Sequence, residues 1–589
     1  MPVRARWPAP NSRWPTRRAA TCRANALQSS APPPRSEPTM KLQALQQKHA
    51  GRLADAIAAV ARRGYHSAYP EDPAHPVYAD GSREAGEAVV RARWMQRDGA
   101  IRGEERSAFG APFDTAYADE PVDAVLARAE AVAPAWAALD PAERAAVALE
   151  ILEALQQRAF EMAFACTHAC GQPFAMAFQA GTAHALDRAL EAVAIAVREM
   201  GAYPARVLWE KPDARRPLRV EKTFEILPRG IAAVIGCATF PTWNSYPGLF
   251  ASLVTGNPVI VKPHPTAVLP LALCVDTART VLARLGLDAD VVQLLVDTRV
   301  APKTKALALD ARVKLIDFTG GPEFGEWLET HARQAHVFTE KAGVNAVLIE
   351  STGDYPGLIR NLALTLSLYS AQMCTTPQSL YLPRTGIRLQ DGMAKTVEDF
   401  KADLAAAVGK LVADPVRAVE LLGAIQSDAT EARAVEATSI GEPAFVSRRL
   451  AHPEMPDAVL RTPALYTVPP EALDTIAREH FGPISLLIVT EDADAALRHA
   501  HEVTRLRGAI TWSVYSRDEA FVGRVKHAAA DAGVHLTLDM TGPVLVNQSA
   551  AFSDLHVSGH NAAGNAALCD TAFVLPRFRV LQTRRYLAA

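Results

Sequence analysis

The sequence predicts an α/β fold in which a parallel sheet is covered by helices on both faces. Two observations carry that prediction. Short runs rich in Val and Ile, such as Ile231-Ala232-Ala233-Val234-Ile235 and Pro258-Val259-Ile260-Val261-Lys262, alternate with helical stretches. Gly and Pro punctuate the junctions, as at Gly286 and at Thr319-Gly320-Gly321-Pro322. Strands of that kind are buried on both faces, and nucleotides bind such sheets at the carboxyl ends of their strands.

Composition sets the outer limits. The 589 residues suffice for about two to four domains. Apolar residues make up 49% and charged residues 21%, with a net charge of −2, which gives no nucleic-acid or anionic-membrane surface. No apolar run reaches the ~18–20 residues of a membrane span. The seven cysteines (22, 166, 170, 237, 274, 374 and 569) lack zinc spacing, and no secretory segment precedes them. A reducing, cytoplasmic setting is expected.

Residues 1–39 differ in kind. Seven arginines and eight prolines accompany a single acid, Glu37, so disorder is expected, with Met40 as the effective start. Residues 40–202 read as helical. Asp140-Pro141-Ala142-Glu143 is a capping box opening a helix to Phe160, whereas 66–120 reads as loop-rich surface. Residues 203–228 form a basic, Pro-punctuated arm. The stretch 229–339 holds four strands, at 231–236, 258–263, 291–296 and 313–318, with a loop at 240–244.

A second α/β unit, 340–546, is expected to begin at Glu340. It holds strands at 346–350, 379–382, 483–489 and 509–515, and a helix Leu358–Gln372 leading to Cys374. Residues 547–589 return as an extended tail. No Rossmann Gly-x-Gly-x-x-Gly is present. Gly320, Gly321 and Gly325 lie between a strand and a helix start, where backbone N–H groups can meet a phosphate.

Glu340 and Cys374 stand 34 positions apart. A soft nucleophile and a base that activates water are the two parts needed to make and hydrolyse a thioester. Either alone is ordinary: a lone Cys is usually core and a lone Glu usually solvated.

The order Trp243-Asn244, Lys262, Gly320 to Gly325, Glu340 to Gly343, Cys374 and Glu479-His480-Phe481-Gly482-Pro483 resembles the aldehyde dehydrogenase superfamily from about residue 120 to 585. The runs Thr339–Asn345 and Leu366–Gln378 are similar to the PaaN-type, ring-opening aldehyde dehydrogenases of phenylacetic acid degradation. The resemblance implies a Rossmann-like cofactor domain, an α/β catalytic domain and an oligomerisation arm built from 203–228 and the chain's end. It implies Cys374 as nucleophile, Glu340 as base and Asn244 as oxyanion donor. It places Lys262, Trp243, His264, Gly320, Gly321, Gly325, Glu479 and Phe481 at an NAD(P) site. The implied reaction is irreversible oxidation of an aldehyde, a CoA-thioester semialdehyde, by a homodimer or homotetramer.

Two alternatives stand beside it, a CoA-acylating dehydrogenase and a non-catalytic scaffold subunit. Arg215, Arg216 and Arg219 could meet a CoA phosphate or simply face solvent. Three positions depart from the common pattern. Lys341 stands where an apolar residue is usual, Asn244 to Gly256 is a short gap, and Pro265 stands where many members carry a ribose-binding carboxylate. That last departure points to NADP as the favoured cofactor, with NAD the alternative.

Overall fold

The structure, a computed structural model, describes residues 37–94, 99–213, 216–341, 343–542 and 549–587. The extension expected over 1–39 lies almost entirely outside the described residues, as do Arg215 and Ala342.

A helical layer comes first: α1 (Glu37–Arg62), α2 (Ser82–Trp94), α3 (Pro141–Gln157) and α4 (Ala185–Gly201). The Asp140–Glu143 capping box forms as expected, with Pro141 in the first turn. Helix α2 was not expected. Its alternating charges hide a buried stripe of Gly86, Val90 and Trp94. Packing of that stripe adds to the helix propensity of its Ala, Arg and Glu residues.

The arm is a hairpin of β1 (Arg206–Lys211) and β2 (Leu218–Pro228). Helix α5 (Pro241–Val254) follows β3 (Ile231–Ile235) and begins where a loop was expected. Pro241 sits in its first turn, where its missing N–H costs nothing. The parallel sheet continues with β4 (Val259–Lys262), helix α6 (Leu269–Leu285), β5 (Val292–Leu294) and β6 (Val313–Gly320). Helix α7 (Pro322–His331) then leads to β7 (His336–Lys341). The strand order is β5-β4-β3-β6-β7, every pairing parallel. The expected start of a new unit at Glu340 therefore falls inside β7. Glu340 is the penultimate residue of this edge strand of the first sheet.

The second sheet has seven strands. It contains β8 (Ala346–Ile349), β9 (Ser379–Pro383), β10 (Glu442–Phe445), β11 (Ala464–Val468), β12 (Ile484–Thr490), β13 (Thr511–Tyr515) and β14 (His535–Leu538). Their order is β10-β11-β12-β9-β8-β13-β14, and only β10 runs antiparallel to its neighbour. The final strand, β15 (Phe578–Tyr586), pairs along β2 and completes a three-stranded arm sheet. No helix among the described residues is long and apolar enough to cross a membrane.

Candidate active site

All five strands of the first sheet deliver their carboxyl ends to one cleft of about 1360 Å³. Ile235 ends β3 with Gly236 after it, Lys262 ends β4, Asp297 follows β5, Gly320 ends β6 and Glu340 lies at the end of β7. The strand order reverses between β3 and β6, the topological switch point at which open α/β sheets hold their ligands. The volume exceeds the ~300–1,000 Å³ of an ordinary small-molecule pocket. It has room for a dinucleotide beside a substrate.

Cys374 reaches the cleft by an unusual backbone path. The expected helix to Gln372 does not form. Helix α8 (Tyr355–Ser367) stops, and Tyr369, Ser370 and Ala371 follow with φ of 52°, 48° and 57°. Three successive non-glycine residues in the left-handed region cost about 1 kcal/mol or more each, so the surroundings must over-determine them. The Tyr369 hydroxyl donates to the Cys170 carbonyl, and Ser370 Oγ lies 3.1 Å from the Leu422 carbonyl and 3.0 Å from that of Arg461. Gln372 Nε2 donates to Ala424 O at 3.0 Å, while Gln372 Oε1 accepts from Gln426 N at 2.9 Å.

Beyond the turn, Asn345 Nδ2 donates to the Cys374 carbonyl at 2.7 Å. Asn345 Oδ1 accepts from Ile510 N and Thr511 N, so one amide fastens the Cys374 loop to β13. Gln378 does the same for the loop of Glu479 and Phe481, accepting from His480 N at 2.7 Å.

Five polar side chains converge at the base of the cleft. Glu340 Oε2 accepts from Asn244 Nδ2 at 2.7 Å, and Asn244 Oδ1 lies 3.6 Å from Cys237 Sγ. Glu340 Oε1 lies 2.9 Å from His556 Nε2, which is 3.8 Å from Cys374 Sγ. Glu340 is 3% exposed. Burial opposes its charge, yet His556, Cys374 and Asn244 together hold its carboxyl below the usual range. Burial pushes the Cys374 thiol well up, and the Glu340 carboxylate adds to the shift. The resting pair is therefore thiol and carboxylate. Sequence reading missed His556. No motif flags it, and only the approach of the C-terminal segment to β7, through the Glu340–Gly564 bridge, brings it here.

Cys374, Glu340, Asn244, Lys262, His264, Gly320, Gly321, Glu479 and Phe481 all face this cleft. Trp243 and Gly325, also expected at the cofactor site, do not line it. Trp243 turns away, its ring edge-on to His556 at 4.7 Å between centroids. Gly325 is a packing position, since a Cβ there would meet Lys341 Cδ at 2.6 Å. That clearance lets Lys341 cross α7 to Glu329, with Nζ 2.9 Å from Oε1, which explains a charge at this buried position.

At the far end of the cleft Lys262 Nζ pairs with Asp297 Oδ1 at 2.5 Å. His264 supplies no charge there. Burial and the neighbouring Lys262 push its pKa down to about 4, and Nδ1 contacts Thr266 Oγ1 at 2.8 Å. At the mouth, Glu479 is half-buried, and desolvation pushes its carboxyl up to about 7. These groups suit a nicotinamide dinucleotide. Gly320, Gly321 and the N-terminus of α7 offer backbone donors to a pyrophosphate, with Lys262 and Glu479 available to two riboses. Glu323, in the first turn of α7, places an unfavourable charge beside that anion site.

The aldehyde dehydrogenase family profile matches residues 114–564. An N-succinylglutamate 5-semialdehyde dehydrogenase of Chromobacterium violaceum is 26% identical over 492 residues, covering 80% of this chain and 92% of that protein. A 1-pyrroline-5-carboxylate dehydrogenase of Geobacillus kaustophilus is 23% identical over 438 residues, or 72% of this chain and 78% of the relative. Among solved structures, an NAD-dependent aldehyde dehydrogenase from Burkholderia multivorans superposes with a TM-score of 0.90. It is 45% identical and covers 93% of this chain and 99% of its own. A Thermus 1-pyrroline-5-carboxylate dehydrogenase with bound NAD, at 17% identity and a TM-score of 0.66, shares the fold; the match covers 89% of this chain and 99% of that one. Because the family profile takes in both sheets, the Cys374 loop and the segment that carries His556, the chain belongs to the aldehyde dehydrogenase family.

Proposed function

We propose that the protein oxidises an aldehyde to a carboxylic acid through a thioester on Cys374. The observation that carries this reading is the buried Glu340 carboxylate, kept ionised next to the Cys374 thiol. Such a group can take the thiol proton for attack and later a proton from water for hydrolysis. Cys374 Sγ adds to the carbonyl carbon, and the Asn244 amide with the Cys374 backbone N–H faces the oxyanion that forms. NAD(P)⁺, when bound, supplies the hydride acceptor. Glu340 releases the thiol proton to cleft water and then takes another from the water that attacks the thioester. Lys262, Gly320, Gly321, Glu479 and Phe481 hold the dinucleotide.

The substrate we assign is the CoA-linked semialdehyde of phenylacetate ring opening, on the likeness of residues 339–345 and 366–378 to PaaN-type enzymes. The curated relatives described above include one named for a different semialdehyde. NADP is proposed as the preferred cofactor because Pro265 lines the cleft where a carboxylate would repel the 2′-phosphate. A preference for NAD is the second reading, favoured by Asp297, whose carboxylate already occupies Lys262. The arm sheet, with Leu208, Trp209, Leu218 and Leu581 exposed, is proposed as the contact of a dimer or tetramer.

The test is a product analysis in H₂¹⁸O. Label in the carboxylic acid, with steady turnover lacking CoA, supports the reading. Turnover that requires added CoA and yields a new thioester makes the protein an acylating dehydrogenase instead.

A further inference from the structure

His556 is placed by its own supporting network. Its ring is 2% exposed and packs edge-on against Trp243, with an interplanar angle of 76°. The Arg188 guanidinium lies 5.3 Å from the centre of the Trp243 ring. Arg188, itself buried, pairs with Glu191 at 2.8 Å and donates to the carbonyls of Asp554 and Ser549 at 3.1 and 3.2 Å. Those carbonyls belong to the turn that presents His556. Phe552 and Val557 in that turn have φ of 66° and 62°, conformations a non-glycine residue adopts at a cost.

A buried cation, the indole ring and two strained residues therefore fix where one imidazole edge points. It points at both reacting groups, with Nε2 2.9 Å from Glu340 Oε1 and 3.8 Å from Cys374 Sγ. A carboxylate can only accept, so the hydrogen between His556 and Glu340 is carried by Nε2. Among the described residues His556 Nδ1 meets no hydrogen-bond partner, so the ring's polar contacts there are made at Nε2.

The two anions of the reaction are never needed together. During attack Cys374 is the thiolate and Glu340 carries its proton. During hydrolysis Cys374 is a neutral thioester and Glu340 is the carboxylate. We propose that His556 is a positioning residue whose single Nε2–H serves these groups in turn, steadying the thiolate during attack and the carboxylate during hydrolysis. The proton that leaves Sγ goes to Glu340 and then to cleft water. The Nε2 hydrogen is shared and never transferred. This inference rests on the reading of Cys374 as nucleophile and Glu340 as base. The other charged or titratable groups acting on Cys374 are Cys237 and Glu479, with Arg188 beyond Trp243.

The test reads the thiol without substrate or cofactor. Alkylation of Cys374 by iodoacetamide is followed against pH by peptide mass spectrometry, with Cys374→Ala as background. His556→Leu and His556→Met, two apolar replacements of different shape in case one does not fold, should shift the alkylation midpoint upward by about one pH unit or more. Both should also slow the single-turnover burst and the steady state. His556→Gln, which restores a donor, should bring the midpoint back to within about half a unit of wild type. Apolar variants with an unchanged midpoint and unchanged rates would overturn the proposal. So would a Gln variant displaced as far as the Leu variant, because shape rather than the donor would then be at work. If Cys374→Ala keeps its turnover, it is the nucleophile assignment that fails.

Discussion

Asn244 and Glu340 are hydrogen-bonded to each other, Nδ2 to Oε2 at 2.7 Å, so the proposed oxyanion donor and the proposed base form one unit in the resting site. The Cys237 thiol on Asn244 Oδ1 fixes which way the amide faces. A second Asn244 N–H remains for the substrate oxygen, since a primary amide has two donors. Asn244→Ala is expected to lower kcat by about 10²–10³, the usual cost of one oxyanion donor. It should also raise the Glu340 pKa, because one of the groups stabilising the carboxylate is lost. The acidic limb of the pH–rate profile would then move to higher pH. A variant with the full rate and an unmoved limb contradicts both halves of this account.

Cys374→Ala should abolish NAD(P)H formation, while replacing each of the other six cysteines singly leaves it in place. Cys166, Cys170, Cys274 and Cys569 are buried away from solvent, and Cys237 faces Asn244 rather than acting as a nucleophile. Absorbance at the reduced-nicotinamide band decides the matter. Near wild-type turnover in Cys374→Ala would require another nucleophile.

Glu340→Gln separates the two half-reactions. The amide can take a proton from neither the Cys374 thiol nor water, so the first NAD(P)H should form more slowly, reach about one per site, and turnover should then stall. Stopped-flow absorbance measures the burst. Unslowed steady turnover would remove Glu340 from the hydrolytic step.

Much of this site was legible because its parts lie in short local motifs. The capping box at Asp140, the strand ends at Lys262 and Gly320, and the Glu340–Cys374 pair all follow from neighbouring residues. What was hidden depends on distant packing. Pro241-Thr242-Trp243 reads as a loop, yet it opens a helix once its apolar face is buried. The left-handed run at Tyr369–Ala371 contains no glycine to announce it, and it is held by carbonyls from Cys170, Leu422 and Arg461. His556 lies 216 positions from the carboxylate it touches. Lys341 looked out of place until Gly325 and Glu329 were seen around it.

As a proposed ribose partner, Glu479 is expected to link cofactor binding to pH. Its carboxyl, pushed up to about 7 by desolvation, is half protonated near neutrality. Ribose hydroxyls donate to the carboxylate form, so binding lowers its pKa. By linkage, affinity then rises as pH climbs toward 7 and levels off above it. Cofactor should bind about tenfold more weakly at pH 6 than at pH 8. Fluorescence titration with NAD(P)H measures this, and Glu479→Gln should flatten the curve. A wild-type affinity that stays level or falls between those pH values removes Glu479 from the ribose site.

We propose that cofactor choice turns on two positions, one in the turn after β4 and one after β5. Pro265 brings no charge to the cleft, whereas a glutamate there would face the 2′-phosphate of NADP, and like charges facing each other cost several kcal/mol. Lys262 is the nearby cation, but Asp297 holds it at 2.5 Å, and His264 is neutral at pH 7 because burial pushes its pKa to about 4. Releasing Lys262 from Asp297 is therefore the cost that NADP must meet. We expect kcat/KM to favour NADP in the wild type. Pro265→Glu should cut the NADP value by tenfold or more, or ~1.4 kcal/mol, with a smaller effect on NAD. Asp297→Asn should improve NADP further, since it frees the Lys262 ammonium for the phosphate. Steady-state rates with both cofactors across the three proteins measure the balance. A wild-type preference for NAD of about tenfold or more would defeat the assignment. Asp297 rather than Pro265 would then set the choice, and Asp297→Asn alone should narrow the gap.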